Sequence, residues 1–322
     1  MKELSLVTGG AGVIGSHLVT ELVRQGRPVR VLDDLSTGLI QNLADIDGDV
    51  DFHEGSLTNP ADIQRAVRDV GVIYHLGALA SVARSVENPL ATHAACATGT
   101  LNLLDQARKQ GVRRVVYAAS SSAYGGAVPL GGQTEDLLPC AKSPYAAAKL
   151  AGELYLQAYA HTYGIETVRL RFFNIFGPRQ RSDSPYSGVI ALFTAAMARG
   201  DLPTVHGDGL QSRDFTYVGN AVQALMKAAE AAEVSGNVYN VGTGRSITIR
   251  QLVQELNTIL GTELEPTYGP NRAGDVKYSK ADIRRTRLDL GYEPNVTFEE
   301  GLRRTVAWYL ETSGSFQQLQ LS

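Results

Sequence analysis

Short β-branched runs alternate with longer helical patterns through the first half of this 322-residue chain, and the alternation leaves few folds open. The runs predict strands at residues 4–8, 29–33, 50–53, 72–76, 115–119 and 167–172, and the longer patterns predict helices at residues 14–25, 60–70, 91–110 and 144–163. Near-continuous apolar strands at this spacing are typical of a parallel sheet with helices on both faces. The predicted fold class is α/β, with a doubly wound parallel sheet.

The regularity ends near residue 171, where loop motifs rich in Gly, Pro and Ser separate shorter elements. We therefore expect a main domain of residues 1–172, to which about residues 213–241 return. Residues 173–212 and 242–322 are expected to form a smaller lobe that binds substrate, because ligand contacts usually collect in loops on a rigid scaffold.

Composition argues against several classes of partner. Lys and Arg number 30 and Asp and Glu 33, a net charge of −3, and no block of like charge marks a surface for nucleic acid or an anionic membrane. Cys96 and Cys140 are too few for a disulfide framework or a metal cluster, so we expect no metal and a reducing, cytoplasmic compartment. Glycines and His17 interrupt the apolar N-terminus too early for a secretion signal, and no apolar run is long enough for a membrane span.

A glycine turn joins the first predicted strand to the first predicted helix. Gly9, Gly12 and Gly15, with Val13 and Ile14 between them, form a pattern in which the missing Cβ atoms let the backbone approach a pyrophosphate at the helix N-terminus. By itself the motif also fits an ordinary strand–turn–helix corner.

Asp33, at the end of the second predicted strand and about 20 residues beyond the glycines, is the second mark of a dinucleotide site. A carboxylate there accepts hydrogen bonds from both ribose hydroxyls of an adenosine and repels a 2′-phosphate, so NAD is favoured over NADP. Asp34 adds negative charge, and neither Ser36 nor Thr37 supplies a cation. Arg30 remains open as a phosphate partner or as a surface arginine.

Tyr145 and Lys149 form the candidate catalytic pair. Ser143 suits a helix N-cap and Pro144 the first turn, so Tyr145 and Lys149, four residues apart, share one helix face. The apolar run at residues 115–119 delivers Ser120 and the next two serines to the carboxyl end of a strand, where ligands of open α/β sheets bind. We expect Ser120 to hydrogen-bond the reacting hydroxyl, although these serines could also simply end the strand.

Together and in order, these segments and several later ones resemble the extended short-chain dehydrogenase/reductase family, whose members have a Rossmann fold. The resemblance covers nearly the whole chain and is strongest to the UDP-sugar 4-epimerases, those of UDP-glucose and UDP-N-acetylglucosamine. The segments that carry it are residues 8–18, 33–38, 119–125, Tyr145-x-x-x-Lys149, residues 171–180, residues 207–215 and Arg272-x-Gly274-Asp275.

The resemblance implies a reaction. Tyr145, as a phenolate, would remove the proton of a sugar C4 hydroxyl while NAD accepts the C4 hydride, and Lys149 would lower the pKa of Tyr145 and hold the nicotinamide ribose. The resulting 4-keto sugar would turn its other face and regain the hydrogen with inverted configuration. Because no net oxidation occurs, NAD should stay bound throughout.

The resemblance also implies which residues bind. Arg213 and Arg272 would clamp the diphosphate of a UDP-sugar, Asn174 would donate to it, and Asp275 would hold the uridine ribose. Arg213 could instead pair with Asp214, and Arg272 could be a solvated loop residue. The full cofactor set is expected to be Gly9, Gly12, Val13, Ile14, Gly15, Asp33, Ser36, Thr37, Gly38, Ser56, Leu57, Leu76, Ala78, Tyr145 and Lys149. The remaining substrate set is expected to be Ser81, Ser121, Ser122, Gln180, Arg181, Val189 and Ser279.

Four positions bear on the choice among related activities. Ser121 and Ser122 stand where the resembling 4,6-dehydratases carry an acidic pair and the UDP-glucuronate decarboxylases a glutamate, so elimination of water and decarboxylation are disfavoured. Ser279 is small where some glucose-selective epimerases have a tyrosine, which leaves room for an N-acetyl group. Arg181 occupies the position of a carboxylate-binding arginine in UDP-glucuronate 4-epimerases, and that activity is the alternative.

Three further expectations concern the cofactor's surroundings, other classes of function and assembly. Cys96 replaces a family asparagine, which alters hydrogen bonding near the cofactor. A catalytically idle NAD-binding sensor is a hypothesis from another class, although the presence of tyrosine, lysine and serine together argues against it. The two long helices carry apolar residues around much of their circumference, so, as in the family, we expect a homodimer through a four-helix bundle. Those residues are Leu101, Leu103, Leu104, Leu150, Leu154 and Leu156.

Overall fold

A seven-stranded parallel sheet forms the centre of the computed structural model, which describes residues 3–126, 129, 131–184, 187–270 and 276–313. Along the chain the described strands are β1 (Ser5–Thr8), β2 (Val29–Asp33), β3 (Val50–Glu54), β4 (Val72–His75), β5 (Arg114–Ser120), β6 (Glu166–Phe172), β7 (Ile175–Phe176), β8 (Thr204–His206), β9 (Ser212–Arg213), β10 (Thr216–Tyr217), β11 (Asn237–Val241), β12 (Ile247–Thr248) and β13 (Thr267–Gly269). The central sheet has the order β11-β6-β5-β4-β1-β2-β3, and each neighbouring pair is parallel.

Helices cover both faces of this sheet, and others lie in the second half of the chain. The described α-helices are α1 (Val13–Arg24), α2 (Gln41–Ala44), α3 (Pro60–Val67), α4 (Val82–Glu87), α5 (Pro89–His93), α6 (Gly99–Lys109), α7 (Pro144–Tyr163), α8 (Val189–Ala198), α9 (Val218–Glu230), α10 (Ile249–Leu260), α11 (Arg284–Leu290) and α12 (Phe298–Ser313). A π-helical turn, Ala94–Thr98, joins α5 to α6, and a 3₁₀ turn, Ser121–Tyr124, follows β5. The predicted α/β class is confirmed.

The order of the strands places a crevice beside β1. The chain runs outward from β1 to β2 and β3 and then returns to β4 on the other side of β1, where Ser5 lies opposite both Val29 and Val72. Ligands of open parallel sheets bind at the carboxyl ends of the strands where the winding direction changes. The glycine turn and Ser120 both leave the sheet at this edge.

Local capping explains where the predicted helix bounds hold and where they shift. The helix predicted at residues 144–163 is observed with those bounds, since Ser143 accepts from the Ala146 N–H at 3.1 Å and Gly164 ends the helix at φ +70°. The helix predicted at residues 91–110 starts earlier, because Asn88 caps α5. The helix predicted at residues 60–70 stops at Val67, before Asp69 takes φ +62°.

Apolar side chains pack the sheet against helices on its two faces. One face packs Val7, Val31 and Val116 against α1 and α9, and the other packs Ile73 and Val115 against α3, α6 and α7. This burial on both faces stabilises the parallel sheet and holds its carboxyl edge rigid.

A second core, rich in aromatic residues, and three two-stranded sheets lie in the second half of the chain. Phe176 packs edge to face against Phe215, with ring centroids 6.3 Å apart, and Phe215 stacks on Phe298 at 5.7 Å. From this part of the chain β11 returns and pairs with β6 in parallel. Within the described residues, no helix has the length and apolar character that crossing a membrane requires.

Candidate active site

The glycine turn between β1 and α1 is packed so closely that side chains would not fit. A Cβ on Gly15 would lie 2.1 Å from the Gly9 carbonyl oxygen, and one on Gly9, which has φ +69°, would lie 2.7 Å from the Gly77 nitrogen. Gly12 caps α1 without a side-chain hydrogen bond, so the first N–H groups of α1, at Val13 and Ile14, are left by helix geometry for an anion. These residues fit the pyrophosphate of a dinucleotide.

Asp33 is positioned by two backbone donors at the end of β2. Its Oδ2 accepts from the Ala11 N–H and its Oδ1 from the Leu35 N–H, each at 2.9 Å. Burial raises the pKa of Asp33, the two backbone hydrogen bonds oppose this, and Asp34 raises it further. Each carboxylate oxygen keeps a second lone pair, so ribose hydroxyls can still donate to it.

The other predicted adenosine residues lie at this same end of the sheet. A Cβ on Gly38 would lie 2.9 Å from Ala11, so the loop that carries the exposed Ser36 and Thr37 packs on the glycine turn. Ser56, which follows β3, has its Oγ 3.4 Å from the Asp34 carboxylate. The structure therefore brings both loops to the side of Asp33.

The segments after β3 and β4 form the facing wall. Leu57 packs on Gly77 and on Gly99, where Cβ atoms would come within 2.7 Å and 2.9 Å of its side chain. Leu76 packs on the core beneath the sheet, and Ala78 packs on the apolar cluster at the π turn. Leu57 is thereby joined to the glycine turn, because Gly77 lies against Gly9.

Ser120 and Tyr145 meet across the crevice. Ser120 lies at the last position of β5, and its Oγ accepts from the Ser122 N–H at 3.2 Å and from the Ser122 Oγ at 2.9 Å. Since the Ser120 oxygen accepts twice, its own proton is available for the hydrogen bond with Tyr145 that lowers the tyrosine's pKa. The arrangement stabilises negative charge on the phenol oxygen.

Contrary to expectation, burial and not Lys149 governs the pKa of Tyr145 in the structure. Burial raises the pKa of Tyr145 above its usual value, Cys96 raises it further, and the opposing hydrogen bond from Ser120 does not compensate. The physical reason is that removing a phenolate from water costs more free energy than one hydroxyl donor returns. Tyr145 is therefore a neutral phenol at neutral pH before ligands bind.

Lys149 is a buried cation that lies against an aromatic ring. Its Nζ is 4.2 Å from the centroid of Tyr117, and the side chain is 2% exposed. Burial lowers the pKa of Lys149 to about 8, while Cys96 and Glu153 act in the opposite direction. The Tyr117 ring face and the Glu153 carboxylate both attract this cation.

Two neighbours fix the helix that carries this pair. Glu153, one turn after Lys149, is a buried partner of Arg171 on β6, with a closest approach of 2.7 Å. Cys96 lies fully buried at the centre of the π turn and packs with Ala97 and Ala148. The ion pair ties α7 to the sheet, and the cysteine packs against its opposite side.

Six of the predicted substrate residues fall into three groups. Gln180 Oε1 and Ser279 Oγ are buried acceptors with no hydrogen-bond partner in the described part of the chain, as expected of groups that face a ligand. Asn174 takes φ +36°, and Arg213 donates to the carbonyls of Ser212 and Lys277. Arg272 and Asp275 lie outside the described residues.

Ser81 and Arg181 have structural partners of their own, and Val189 and Ser121 are placed by their positions in the fold. The Ser81 hydroxyl caps α4 by accepting from the Arg84 N–H at 3.2 Å, and Val189 begins α8. Arg181 forms an exposed ion pair with Asp183 at 2.8 Å. Ser121, in the turn after Ser120, lies beside the catalytic pair.

Sequence reasoning missed the residues beneath the site. Tyr117, on which Lys149 lies, and His75, which packs on Tyr117 with ring centroids 5.3 Å apart, were not among the expected positions. A histidine in an otherwise apolar strand was the available signal.

This combination of a dinucleotide crevice with Ser120, Tyr145 and Lys149 defines the chain as an extended short-chain dehydrogenase/reductase. It belongs to the NAD dependent epimerase/dehydratase family, which matches residues 5–242. UDP-glucose 4-epimerase of Mycolicibacterium smegmatis is 36% identical over 96% of this chain and 99% of its own. A UDP-glucose 4-epimerase of Thermotoga maritima, solved with UDP-glucose, has a TM-score of 0.92 at 38% identity and covers 96% of this chain and 99% of its own. The cofactor of this family is NAD, as in the NAD complex of the Thermus thermophilus enzyme.

The relatives nevertheless differ in activity. A UDP-N-acetylglucosamine 4-epimerase from Methanobrevibacter ruminantium, solved with UDP-N-acetylmuramic acid, has a TM-score of 0.92 at 36% identity and covers 97% of this chain and all of its own. A decarboxylase, a UDP-glucuronate 4-epimerase and a 4,6-dehydratase are similar at 33%, 32% and 32% identity. Similarity therefore establishes an enzyme of the UDP-sugar epimerase kind without selecting the sugar.

Proposed function

We propose that the protein inverts the configuration at C4 of a UDP-hexose through a transient 4-keto sugar. The proposed substrates are UDP-glucose and UDP-galactose and also their N-acetylated counterparts. The observation that carries the proposal is Tyr145, hydrogen-bonded to Ser120, with the buried Lys149 one turn further along the helix. The two residues after Ser120 are both serines, and Ser122 donates to Ser120. A serine cannot supply the acid or base that dehydration requires.

Proton transfer at the sugar C4 oxygen is the task of this chain's own residues. Tyr145 accepts the proton in one half of the cycle and returns it in the other, and Ser120 holds the same oxygen by a hydrogen bond. NAD, when bound, supplies a reversible hydride acceptor and a positively charged ring. We propose that in the complex with NAD the charge of Lys149 adds to that of the ring and favours the phenolate form of Tyr145, which burial alone disfavours.

Substrate binding is proposed to use the donors that line the smaller lobe. Arg213 and Asn174 are suited to the diphosphate, because both present N–H donors. Gln180 and Ser279 are suited to the ligand because their buried oxygens have no partner in the described residues. Arg272 and Asp275 are proposed for the diphosphate and the uridine ribose on the resemblance alone.

Ser279 is proposed to set tolerance at the sugar C2 position. We expect Ser279→Tyr to lower kcat/KM for UDP-N-acetylglucosamine at least about tenfold more than for UDP-galactose, because the larger side chain fills the space of the acetyl group. Paired assays of the two sugars measure the ratio. Ser279→Ala, which keeps the space, should leave the ratio within about twofold, and equal loss of both substrates in the tyrosine variant would refute the proposal.

One coupled assay across three substrates tests the function itself. UDP-glucose, UDP-N-acetylglucosamine and UDP-glucuronate are supplied in turn, and the C4 epimers are separated and quantified. Turnover of the first two supports the proposal. Turnover of UDP-glucuronate alone would favour the glucuronate epimerase, for which Arg181 would have to leave Asp183. Binding of NAD without turnover of any sugar would favour the sensor.

A homodimer through α5, the π turn, α6 and α7 is proposed from exposed apolar side chains. Leu90 on α5 is 81% exposed and Leu154 on α7 is 57% exposed, and these two helices pack together. We expect light scattering at micromolar concentration to give twice the mass of one chain, and Leu154→Glu to shift the species toward monomer because it places a charge in the apolar face. A monomeric unmodified chain would contradict the proposal.

A further inference from the structure

A buried histidine joins three elements beneath the cofactor crevice. His75 ends β4, and His75, Thr8 and Thr100 are all fully buried. His75 Nδ1 lies 2.8 Å from Thr8 Oγ1, and His75 Nε2 lies 2.9 Å from Thr100 Oγ1. The chain of contacts extends at both ends, to the Gly77 N–H, 3.1 Å from Thr8 Oγ1, and to the Cys96 carbonyl, 2.7 Å from Thr100 Oγ1.

The two ends fix the direction of every hydrogen bond between them. A carbonyl only accepts, so the single proton of Thr100 points to Cys96 and the Thr100 oxygen accepts from His75 Nε2–H. His75 Nδ1 is then an acceptor, and Thr8 donates to it. The Gly77 N–H donates to the Thr8 oxygen, so the Thr8 hydroxyl donates once and accepts once.

The opposite tautomer leaves groups unsatisfied. With the proton on Nδ1, Thr8 would accept twice and its own proton would need another acceptor, while the Nε2 lone pair would face the Thr100 oxygen at 2.9 Å. A doubly protonated ring would likewise leave the Thr8 proton without an acceptor. Burial and then the charge of Lys149 lower the pKa of His75 to about 3, in agreement with the neutral ring.

Both ends of this series of hydrogen bonds, Gly77 and Cys96, lie at the cofactor site. Gly77 approaches Gly9 so closely that a Cβ on Gly9 would lie 2.7 Å from the Gly77 nitrogen, and Thr8 is the residue before Gly9. Cys96 belongs to the π turn that packs on Ala148 of α7. The ring of His75 also packs on Tyr117, which carries Lys149 on its face.

We propose that His75 is a positioning residue, neutral and protonated on Nε2. Its Nδ1 holds Thr8, and Thr8 holds Gly77 against the glycine turn. The pyrophosphate site is therefore formed before NAD binds. The inference rests on NAD binding by the family and not on the identity of the sugar. If His75 acts in this way, the hydrogen bond to Thr8 governs NAD affinity, while the hydrogen bond to Thr100 holds the π turn.

Two substitutions separate the two sides. In His75→Asn the amide oxygen occupies the place of Nδ1 and can still accept from Thr8, whereas in His75→Gln the amide nitrogen occupies the place of Nε2 and can still donate to Thr100. We expect the Gln variant, and Thr8→Val, to weaken NAD binding at least about tenfold, because the buried Thr8 end loses its partner. The Asn variant should stay within about threefold of the unmodified protein.

NAD affinity is measured calorimetrically on protein stripped of cofactor, with melting temperature recorded for each variant. Thr167→Val is the matched control, because Thr167 is equally buried and donates to the Leu156 carbonyl at 3.0 Å on another strand; it should keep NAD affinity within about twofold. Equal weakening by Asn and Gln, weakening confined to Asn, or unchanged affinity in the Gln variant would each overturn the proposal.

A spectroscopic measurement on the unmodified protein does not depend on any variant folding. In a long-range ¹H–¹⁵N spectrum of protein labelled at its six histidines, the His75 ring should show the Nε2–H tautomer without titration between about pH 5.5 and 9. His75→Asn assigns the signal. An Nδ1–H tautomer, or a ring that gains a proton in this range, would overturn the proposed direction of the chain.

Discussion

Tyr145→Phe is expected to lower the rate of C4 inversion about 10³- to 10⁴-fold, because the variant loses the oxygen that exchanges a proton with the sugar. The phenol ring stays in place, so content of bound NAD and affinity for the UDP-sugar should change by no more than about threefold. Steady-state kinetics with UDP-galactose, together with cofactor released on denaturation, measure both quantities.

A second tyrosine on the same helix is the control for this loss. Tyr155 is 40% exposed, and Tyr155→Phe should retain the full rate. Inversion at full rate in Tyr145→Phe would contradict the proposed base. A rate lost together with bound NAD would show that Tyr145 holds the fold or the cofactor instead.

Lys149→Met is expected to lose activity and gain stability at the same time. Burial lowers the pKa of Lys149 from 10.5 to about 8, so the folded protein holds this cation less readily than the unfolded chain does. The cost to stability is present in full below pH 8 and disappears as pH rises from 8 to 10.5. At 1.36 kcal/mol for each pKa unit, the variant should be more stable at pH 7 by about 3 kcal/mol.

Chemical denaturation of the cofactor-free protein at pH 7 and at pH 10 measures this gain, which should be large at the lower pH and small at the higher. The inversion rate should fall at least about 100-fold, and its acid limb should move to higher pH, because the phenolate of Tyr145 loses a stabilising charge. Lys142→Met, an exposed change three residues before Tyr145, should alter neither property. At each pH the stability gain is the variant's free energy of unfolding minus that of the unmodified protein. A gain that is smaller at pH 7 than at pH 10 would contradict the sign of the effect.

Much of the fold was predictable because it depends on local pattern. Apolar runs and cap residues such as Ser143 fix where strands and helices form, and the glycine turn with Asp33 marks the edge of the sheet that binds ligand. The same logic identified Ser120, Tyr145 and Lys149, because the carboxyl end of a strand and one face of a neighbouring helix meet at a known place in this topology. The division into two lobes at the stated residues and the cytoplasmic location stay predictions.

What could not be predicted arises from contacts between distant segments. The raised pKa of Tyr145 depends on how deeply tertiary packing buries the phenol, and residue spacing carries no such information. The partners of His75 come from β1 and α6, so the hydrogen-bonded chain exists only in the folded state. Arg181 fits a carboxylate by position in sequence, yet its nearest acid in the structure is Asp183.

The central claim, one hydrogen leaving C4 and returning to its opposite face, is tested most directly with UDP-glucose deuterated at C4 and incubated with the purified protein in ordinary water. The account predicts UDP-galactose that retains deuterium at C4, with the label still present after many turnovers. Loss of the label to solvent, or product epimerised with protium at C4, would contradict it.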